Sequence, residues 1–329
     1  MTQTGKHVNE AAYPEAAFVI LQQAGYLRLS GQDRLAFLQR QTTNDVRLLS
    51  PGKAVLTVLT SPVARILDVL YLLDEGEAIG VVSLPGYGRS TTKFLQNRIF
   101  FMDKVSIIDV SEDFSQIDVE GSSGGNLLTQ SGISNLPQIS EVVSSELFNV
   151  PLRVLGLKGL RDRAYRLIAG NEDEPRLVRG LEEAGFYHLQ PEIYDVLRVE
   201  AGLPGVGHEL TDAYIPLEVN MDEAISSNKG CYTGQEIIAR QVTYDKVARH
   251  LVGLRLEEAA HPGVAIYTED KRVGEVTSAV VSPRFGPIAL GLIRRPHHQV
   301  GTAVVIQDEG MEIRAVVSNL PFEIKQDEI

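Results

Sequence analysis

The sequence predicts an α+β protein: two mixed sheets with helices, followed by a small antiparallel barrel or sandwich. Three observations predict it. Between Gly25 and Val110 the pattern runs strand, helix, strands, helix, strand, the order of a split βαβ, ferredoxin-like sheet. A similar round of strands and helix follows from Phe114 to Ala184. After Tyr244 the helical pattern stops, and short alternating runs alone remain, separated by Gly, Pro and Asp-Glu turns. A chain of 329 residues is long enough for two or three full-sized cores.

Residues 1–24 are polar and Ala/Gln-rich, read as a loose lead-in with one short helix. Tyr26 to Leu29 alternates like a strand. Ser30-Gly31-Gln32-Asp33 supplies an N-cap with an acid at the third helical position, and Leu35 and Leu38 carry the helix towards Thr42. Strands are expected at Ala54–Thr60, Arg65–Leu73, Ala78–Leu84 and Lys104–Val110, with a helix over Arg89–Phe100. In the second round, strands fall at Phe114–Val119, Leu152–Leu157 and Arg163–Ile168, with a helix over Pro175–Ala184. Glu192–Ala201 is a well-signalled helix, with Pro191 at its start and Gly202 just past its end. Leu203 to Asn228 is an irregular connection that tertiary contacts must hold. The C-terminal runs begin at His250, Gly263, Val273, Ile288, Ala303 and Glu312, which places a domain boundary near residue 245.

Composition narrows the function. A net charge of −12 argues against a general nucleic-acid-binding face, because phosphate contacts need clustered Lys and Arg. A local basic pocket for an anionic ligand remains compatible. The single cysteine excludes an intrachain disulfide framework and an all-cysteine iron–sulfur or zinc site within one chain. The seven His show no HExxH-type spacing, and His297-His298 after Pro296 reads as a solvated pair, so no metal site is expected. No apolar run approaches the ~18 residues of a membrane span, and the N-terminus lacks a charged-then-apolar signal pattern. The expectation is a soluble cytoplasmic protein with neither membrane nor nucleic-acid partners.

The densest local chemistry is Lys229-Gly230-Cys231-Tyr232-Thr233-Gly234-Gln235-Glu236. Thr233 and Glu236 have capping-box spacing, and Tyr232 with Ile237 fits a hydrophobic staple. Cys231 then lies beside a helix N-terminus and near Lys229, which together favour a reactive thiolate. The alternative is a small buried hydrophobe in a Gly-flanked turn. Lys229 could activate that thiol, bind an anion, or simply be solvated.

Two carboxylates fall on apolar patterns. Ile193, Val196, Leu197 and Glu200 occupy i, i+3, i+4 and i+7 of their helix, so Glu200 must be paired, protonated or in contact with a ligand. Arg198 and Arg240 are the candidate ion-pair partners. Asp68 shares a strand face with Ile66, Leu70 and Leu72, where burial raises a carboxylate's pKa and suits it to proton transfer; a structural strand Asp is the alternative.

The run Lys229–Glu236 resembles the signature of the YgfZ family of folate-binding proteins, which is related to the aminomethyltransferase (T-protein) of the glycine cleavage system. Arg198-Val199-Glu200-Ala201-Gly202 is similar to the Arg-x-Glu-x-Gly segment of that superfamily, and the Leu-Ser-Gly-Gln-Asp and Thr-Asn-Asp segments near the N-terminus match its opening. The resemblance implies a three-domain ring around a central folate pocket: an N-terminal α+β part (1–112), a second α+β part intertwined with it (113–244), and a C-terminal antiparallel β-barrel (245–329). It implies tetrahydrofolate as cofactor, with Glu200 on the donor edge of the pterin, Arg198 in the same segment, and Arg249 facing the folate tail. It implies catalytic or functional roles for Cys231, Lys229 and Asp68, the last in a strand that resembles the T-protein segment supplying the catalytic Asp. That segment's Gly-Gly and second Asp are replaced here by Ala64-Arg65 and Val69. The function so implied is assistance to iron–sulfur cluster assembly or repair, with iron–sulfur enzymes or assembly proteins as partners. The alternatives are a folate-dependent one-carbon transferase and a thiol-based redox scaffold.

Overall fold

The computed structural model describes residues 13–161, 163–244 and 246–323. In chain order the first elements are β1 (Ala17–Ile20), β2 (Gly25–Ser30), α1 (Arg34–Gln41), β3 (Ala54–Thr60), β4 (Ile66–Asp74), β5 (Ala78–Ser83), α2 (Gly88–Gln96) and β6 (Ser106–Asp109). Next come β7 (Phe114–Glu120), α3 (Gly124–Gln130), β8 (Val142–Leu147), β9 (Val150–Lys158), β10 (Arg163–Gly170), α4 (Glu174–Glu183), β11 (Tyr187–His188), α5 (Pro191–Ala201) and α6 (Gln235–Thr243). The last six strands are β12 (Arg249–Leu256), β13 (Ala265–Thr268), β14 (Lys271–Ser282), β15 (Gly286–Arg294), β16 (Ala303–Asp308) and β17 (Met311–Ser318).

Three assemblies result. One sheet has the order β3-β4-β5-β2-β6, the second β11-β1-β7-β10-β9-β8, and the third closes as a barrel, β12-β15-β14-β13-β16-β17. The first sheet is antiparallel throughout, and in the second only β1 and β11 run parallel. The α+β class and the antiparallel C-terminal barrel follow the sequence expectation. The lead-in differs. Its residues 1–12 lie outside the described residues, and the rest forms a strand rather than a helix, because Ala17–Ile20 finds a free edge at β7. The chain therefore enters the second sheet before it builds the first, which is how the two are interleaved. Strand β8 was also invisible in the sequence; its alternating burial is sustained only by pairing with β9.

Period-two alternation distributes the cores. One face of the first sheet packs Leu27, Leu29, Leu70 and Leu72 under Phe37 and Leu38 of α1 and Leu95 of α2. The second sheet buries Phe18, Ile117 and Leu167 under Leu128, Leu177 and Leu181 of α3 and α4. The remaining faces of the two sheets meet through Tyr26, Leu73, Val82, Leu155 and Ile168. A separate cluster joins Val58 and Val69 of the first sheet, Val199 of α5, and Leu251, Leu290 and Phe322 of the barrel part. That cluster is the floor of the candidate site.

The segment 138–142 seals the seam between the sheets. Ser140 donates its amide to the Gly156 carbonyl (3.0 Å), Gly156 donates to Glu141 (2.9 Å), and Ala54 of β3 donates to Ser140 (2.8 Å). A Cβ at Gly156 would overlap the carbonyl oxygen of Gln138, a backbone atom that cannot swing away. Gly156→Ala should lower stability by about 1–3 kcal/mol, the usual range for overpacking. Urea unfolding of the purified variant checks this, and an unchanged midpoint would mean that the seam relaxes freely.

Candidate functional site

Where the three assemblies meet, a cavity of about 740 Å³ opens. Its wall is mostly apolar: Leu56 and Val69 from the first sheet, Leu84, Met221, Phe285 and Phe322. Its charged and polar groups include Glu223 and Asn220 beside Met221, and a larger set drawn from other elements. Glu200 and Arg198 come from α5, Arg284 from the turn after β14, and Lys158 and Arg161 from the end of β9 and the loop that follows it. Polar groups set in a mostly apolar concavity are the usual make-up of a small-molecule pocket.

Helix α5 positions the carboxylate. Pro191 stands in its first turn, Gly202 closes it in the left-handed conformation (φ 69°), and Leu197, Arg198, Val199 and Glu200 are all buried. The Glu200 Oε1 accepts from the Tyr13 hydroxyl (2.5 Å) and the Ser282 hydroxyl (2.5 Å), while Oε2 accepts only from Arg284 Nη1 at 3.3 Å. A carboxylate offers about four acceptor sites, so Oε2 keeps capacity for a ligand donor. Burial pushes the Tyr13 phenol well above its usual range, and the Glu200 carboxylate beside it adds to the shift, so this hydroxyl stays a donor. Sequence reasoning named neither Tyr13, Ser282 nor Arg284. No periodic pattern marks them, since Tyr13 belongs to the lead-in and Ser282-Pro283-Arg284 to a barrel turn. The expected pairing with Arg198 or Arg240 does not occur: Arg240 pairs with Glu236 on the surface of α6.

Arg198 is spent on structure. Its guanidinium donates to Asp195 (2.9 Å), the Leu203 carbonyl (3.1 Å), Glu209 (3.3 Å) and Ser278 of β14 (3.0 Å). It borders the cavity as a strut between α5, the 203–209 turn and the barrel.

Asp68 is buried, as its strand pattern predicts, yet it does not face the cavity. Val69 and Tyr71 of β4 line that space, so Asp68 points to the opposite side of the sheet. There its carboxylate accepts from the Thr91 hydroxyl of α2 (2.5 Å) and the amides of Val69 (2.8 Å) and Leu84 (3.0 Å). Burial pushes its pKa up to about 7 against those three hydrogen bonds.

Arg249 lies elsewhere. It donates to both oxygens of Glu218 (2.8 and 2.9 Å) and lines a second cavity with Arg65 and Arg294, sharing no wall with the Glu200 pocket. The structure does not bring it to Glu200.

The Lys229–Glu236 segment departs from the capping expectation. The N-cap of α6 is Gly234, in the left-handed region (φ 84°), with no side-chain cap. Thr233 is fixed by its backbone instead, donating to the Arg40 carbonyl (3.2 Å) and accepting from the Thr60 hydroxyl (2.6 Å). The staple pair does share a cluster: Tyr232 is buried with Ile237 packed against it. Lys229 is not solvated. Its ammonium donates to the carbonyls of Thr42 (2.6 Å) and Asn44 (2.5 Å) under the Tyr232 ring, and burial lowers its pKa to about 8. It therefore points away from the task of activating Cys231, which is exposed.

The fold and site define a protein of three assemblies that meet around one mostly apolar cavity with a buried carboxylate. The chain belongs to the glycine cleavage T-protein family: residues 11–229 match the GCVT N-terminal domain and residues 249–322 the glycine cleavage T-protein C-terminal barrel domain. It is 29% identical over 311 residues to a chloroplastic protein of Arabidopsis thaliana named as a transferase, covering 94% of this chain and 71% of that one. It is 28% identical to the aminomethyltransferase of Halalkalibacterium halodurans, over 96% of this chain and 89% of the relative. The crystal structure of aminomethyltransferase T from Bartonella henselae shares the fold, with a TM-score of 0.83 at 21% identity over 94% of this chain and 87% of that one. No helix among the described residues is long and apolar enough to cross a membrane. The Arabidopsis relative is chloroplastic by name, so relatives do not fix a cytoplasmic location.

The Asp68 environment gives a signed expectation. A folded pKa near 7 against about 3.9 in the unfolded chain means that the folded state holds the extra proton between those values. The contribution of protonated Asp68 is then fully present below about pH 4 and fades as pH rises through about 7. Asp68→Asn mimics the protonated group, so it should gain stability relative to wild type across that interval. Parallel urea titrations at both ends check this, and a pH-independent difference would show an ordinary ionised Asp.

Proposed function

We propose that this chain is a tetrahydrofolate-binding protein that seats the pterin against Glu200 and runs the glutamate tail towards Lys158 and Arg161. The observation that carries the reading is the Glu200 carboxylate. It is buried in an apolar pocket, fixed through Oε1 by Tyr13 and Ser282, and engaged at Oε2 only by the partly exposed Arg284. A fixed acceptor of that kind suits the adjacent N–H donors of a pterin edge, and charge-assisted hydrogen bonds are the strong ones. The pocket volume of about 740 Å³ lies within the usual range for ligands of this size. Tetrahydrofolate, when bound, supplies N5 and N10 as carriers of one-carbon units. The protein's own part is to orient the ring through Glu200, cover it with Phe285 and Phe322, and neutralise the tail carboxylates.

For the use of the folate we favour assistance to iron–sulfur cluster assembly or repair, with iron–sulfur enzymes or assembly proteins as partners. This rests on the resemblance of Lys229–Glu236 to the YgfZ signature and on an exposed Cys231 thiol open to a partner. One cysteine holds no cluster by itself. Aminomethyl transfer is the second reading, favoured by the names of the bacterial relatives and by the near-neutral pKa of Asp68. It is disfavoured because Asp68 faces away from the pocket and apolar Val69 stands on the pocket side of β4.

Calorimetric titration with tetrahydrofolate should give saturable binding that weakens about tenfold or more in Glu200→Ala, the cost of one charge-assisted hydrogen bond. Equal affinity in the variant would remove the pterin assignment, and no binding by the wild type would leave Cys231 chemistry as the basis of function. Purified protein should not turn over an aminomethyl-lipoyl substrate. Turnover lost in Asp68→Asn would reverse the order of the two readings.

A further inference from the structure

The loop between α2 and β6 carries the three most exposed large apolar side chains among the described residues: Phe101 at 97%, Met102 at 72% and Phe100 at 65%. Leu35 of α1, 42% exposed, lies on the helix whose N-cap, Asp33, is bonded to the end of this loop. Contiguous apolar exposure of this kind marks a site of association. The loop is also pinned by hydrogen bonds at both sides. The Phe100 amide donates to the Asp103 carboxylate (3.0 Å), the Asp103 amide donates to the Phe100 carbonyl (2.9 Å), and Arg40 donates to both Asp103 oxygens (2.8 and 2.9 Å). The Lys104 amide donates to Asp33 (2.9 Å) and anchors the far side. A preorganised tip loses little entropy when it docks.

The charges nearest the tip in sequence are mostly cationic, opposite in sign to the chain as a whole. Lys93, Arg98 and Lys104 flank the tip within residues 93–104, where Asp103 is already taken by Arg40, and Asp33, which accepts from the Lys104 amide, is the acid beside them. The whole chain carries −12. An apolar knob set among cations on an acidic protein fits an apolar pocket rimmed by carboxylates. Arg40 also fixes the location: its carbonyl accepts from the Thr233 amide (3.2 Å), which puts the tip beside the exposed Cys231 segment.

We propose that Phe100–Met102, with Leu35 and the neighbouring cations, docks a partner protein that presents an apolar pocket with an Asp/Glu rim, and that the docked partner lies over Cys231. A second copy of this chain joined by two-fold symmetry would set cations against cations. An anionic lipid surface would meet the same cations but repel the rest of an acidic chain. The proposal goes beyond the folate reading and does not depend on it.

The test replaces Phe101 with p-benzoylphenylalanine in the full chain and photo-crosslinks in the native host. The adduct is identified by mass spectrometry, and the identified protein is purified for affinity measurements. The expected result is one acidic partner, cross-linked next to Asp/Glu-rich sequence. Its affinity should fall about tenfold or more for Phe101→Ser and for Lys93→Glu combined with Lys104→Glu. Tetrahydrofolate binding and thermal midpoint should not change in these variants, and the bound partner should slow maleimide labelling of Cys231. No discrete adduct, an adduct only to a second copy, or a partner indifferent to these variants would overturn the proposal. So would Phe101-dependent sedimentation with phosphatidylcholine–phosphatidylglycerol vesicles, which would assign the tip to a lipid surface. Unslowed Cys231 labelling would overturn the placement over the thiol.

Discussion

One turn of helix α5 holds the structure together. Arg198, Val199 and Glu200 follow one another in sequence, and all three are buried at the junction of the two sheets with the barrel. Burying two opposite charges in one turn is costly unless each finds its own partners. Arg198 finds Asp195, the Leu203 carbonyl, Glu209 and Ser278, which fixes the irregular 203–209 turn and ties it to β14. The Glu209 carboxylate, fully buried, is completed by the Gly205 amide and the Ser278 hydroxyl (both 2.8 Å). Val199 enters the shared apolar cluster. Glu200 points into the cavity, and its backbone carbonyl accepts from the Phe322 amide (2.8 Å), drawing Phe322 against the same wall. The pocket therefore exists because these contacts come from three different assemblies.

A second buried cation performs the same task for the Cys231 segment. The Lys229 ammonium satisfies two carbonyls in the loop after α1, where Thr43 also donates its hydroxyl to the Ala224 carbonyl (2.6 Å). The segment is thus laced to the first sheet on both sides of Lys229. This is why Lys229 is buried and Cys231 exposed: the lysine closes a seam, and the thiol is left on the outside. It also separates two features that stand two residues apart in the chain and do different work.

How much of this was legible depends on whether the signal was local. Most strands and helices were readable, because alternation, helical periodicity and the Pro191 and Gly202 punctuation are short-range physics; β1 and β8 were not, since each is a strand only through its pairing with β7 or β9. Glu200 and Asp68 were readable as buried acids for the same reason. The direction in which Asp68 faces was not, because a strand pattern groups residues by face without saying which face meets the cavity. The capping box failed on a local detail. Gly234 in the left-handed region moves the helix start one residue on and breaks the Thr233–Glu236 spacing.

Periodicity and backbone preference within about a dozen residues are enough to specify the α+β class, the C-terminal barrel and two of the buried acids, Asp68 and Glu200, but not Glu209 or Glu218. Tertiary structure decided which of those acids lines the pocket and which partners hold it. Tyr13, Ser282 and Arg284 reach Glu200 from sequence separations of 187, 82 and 84 residues. Contacts across such distances leave no periodic trace, because they depend on how three assemblies pack against one helix.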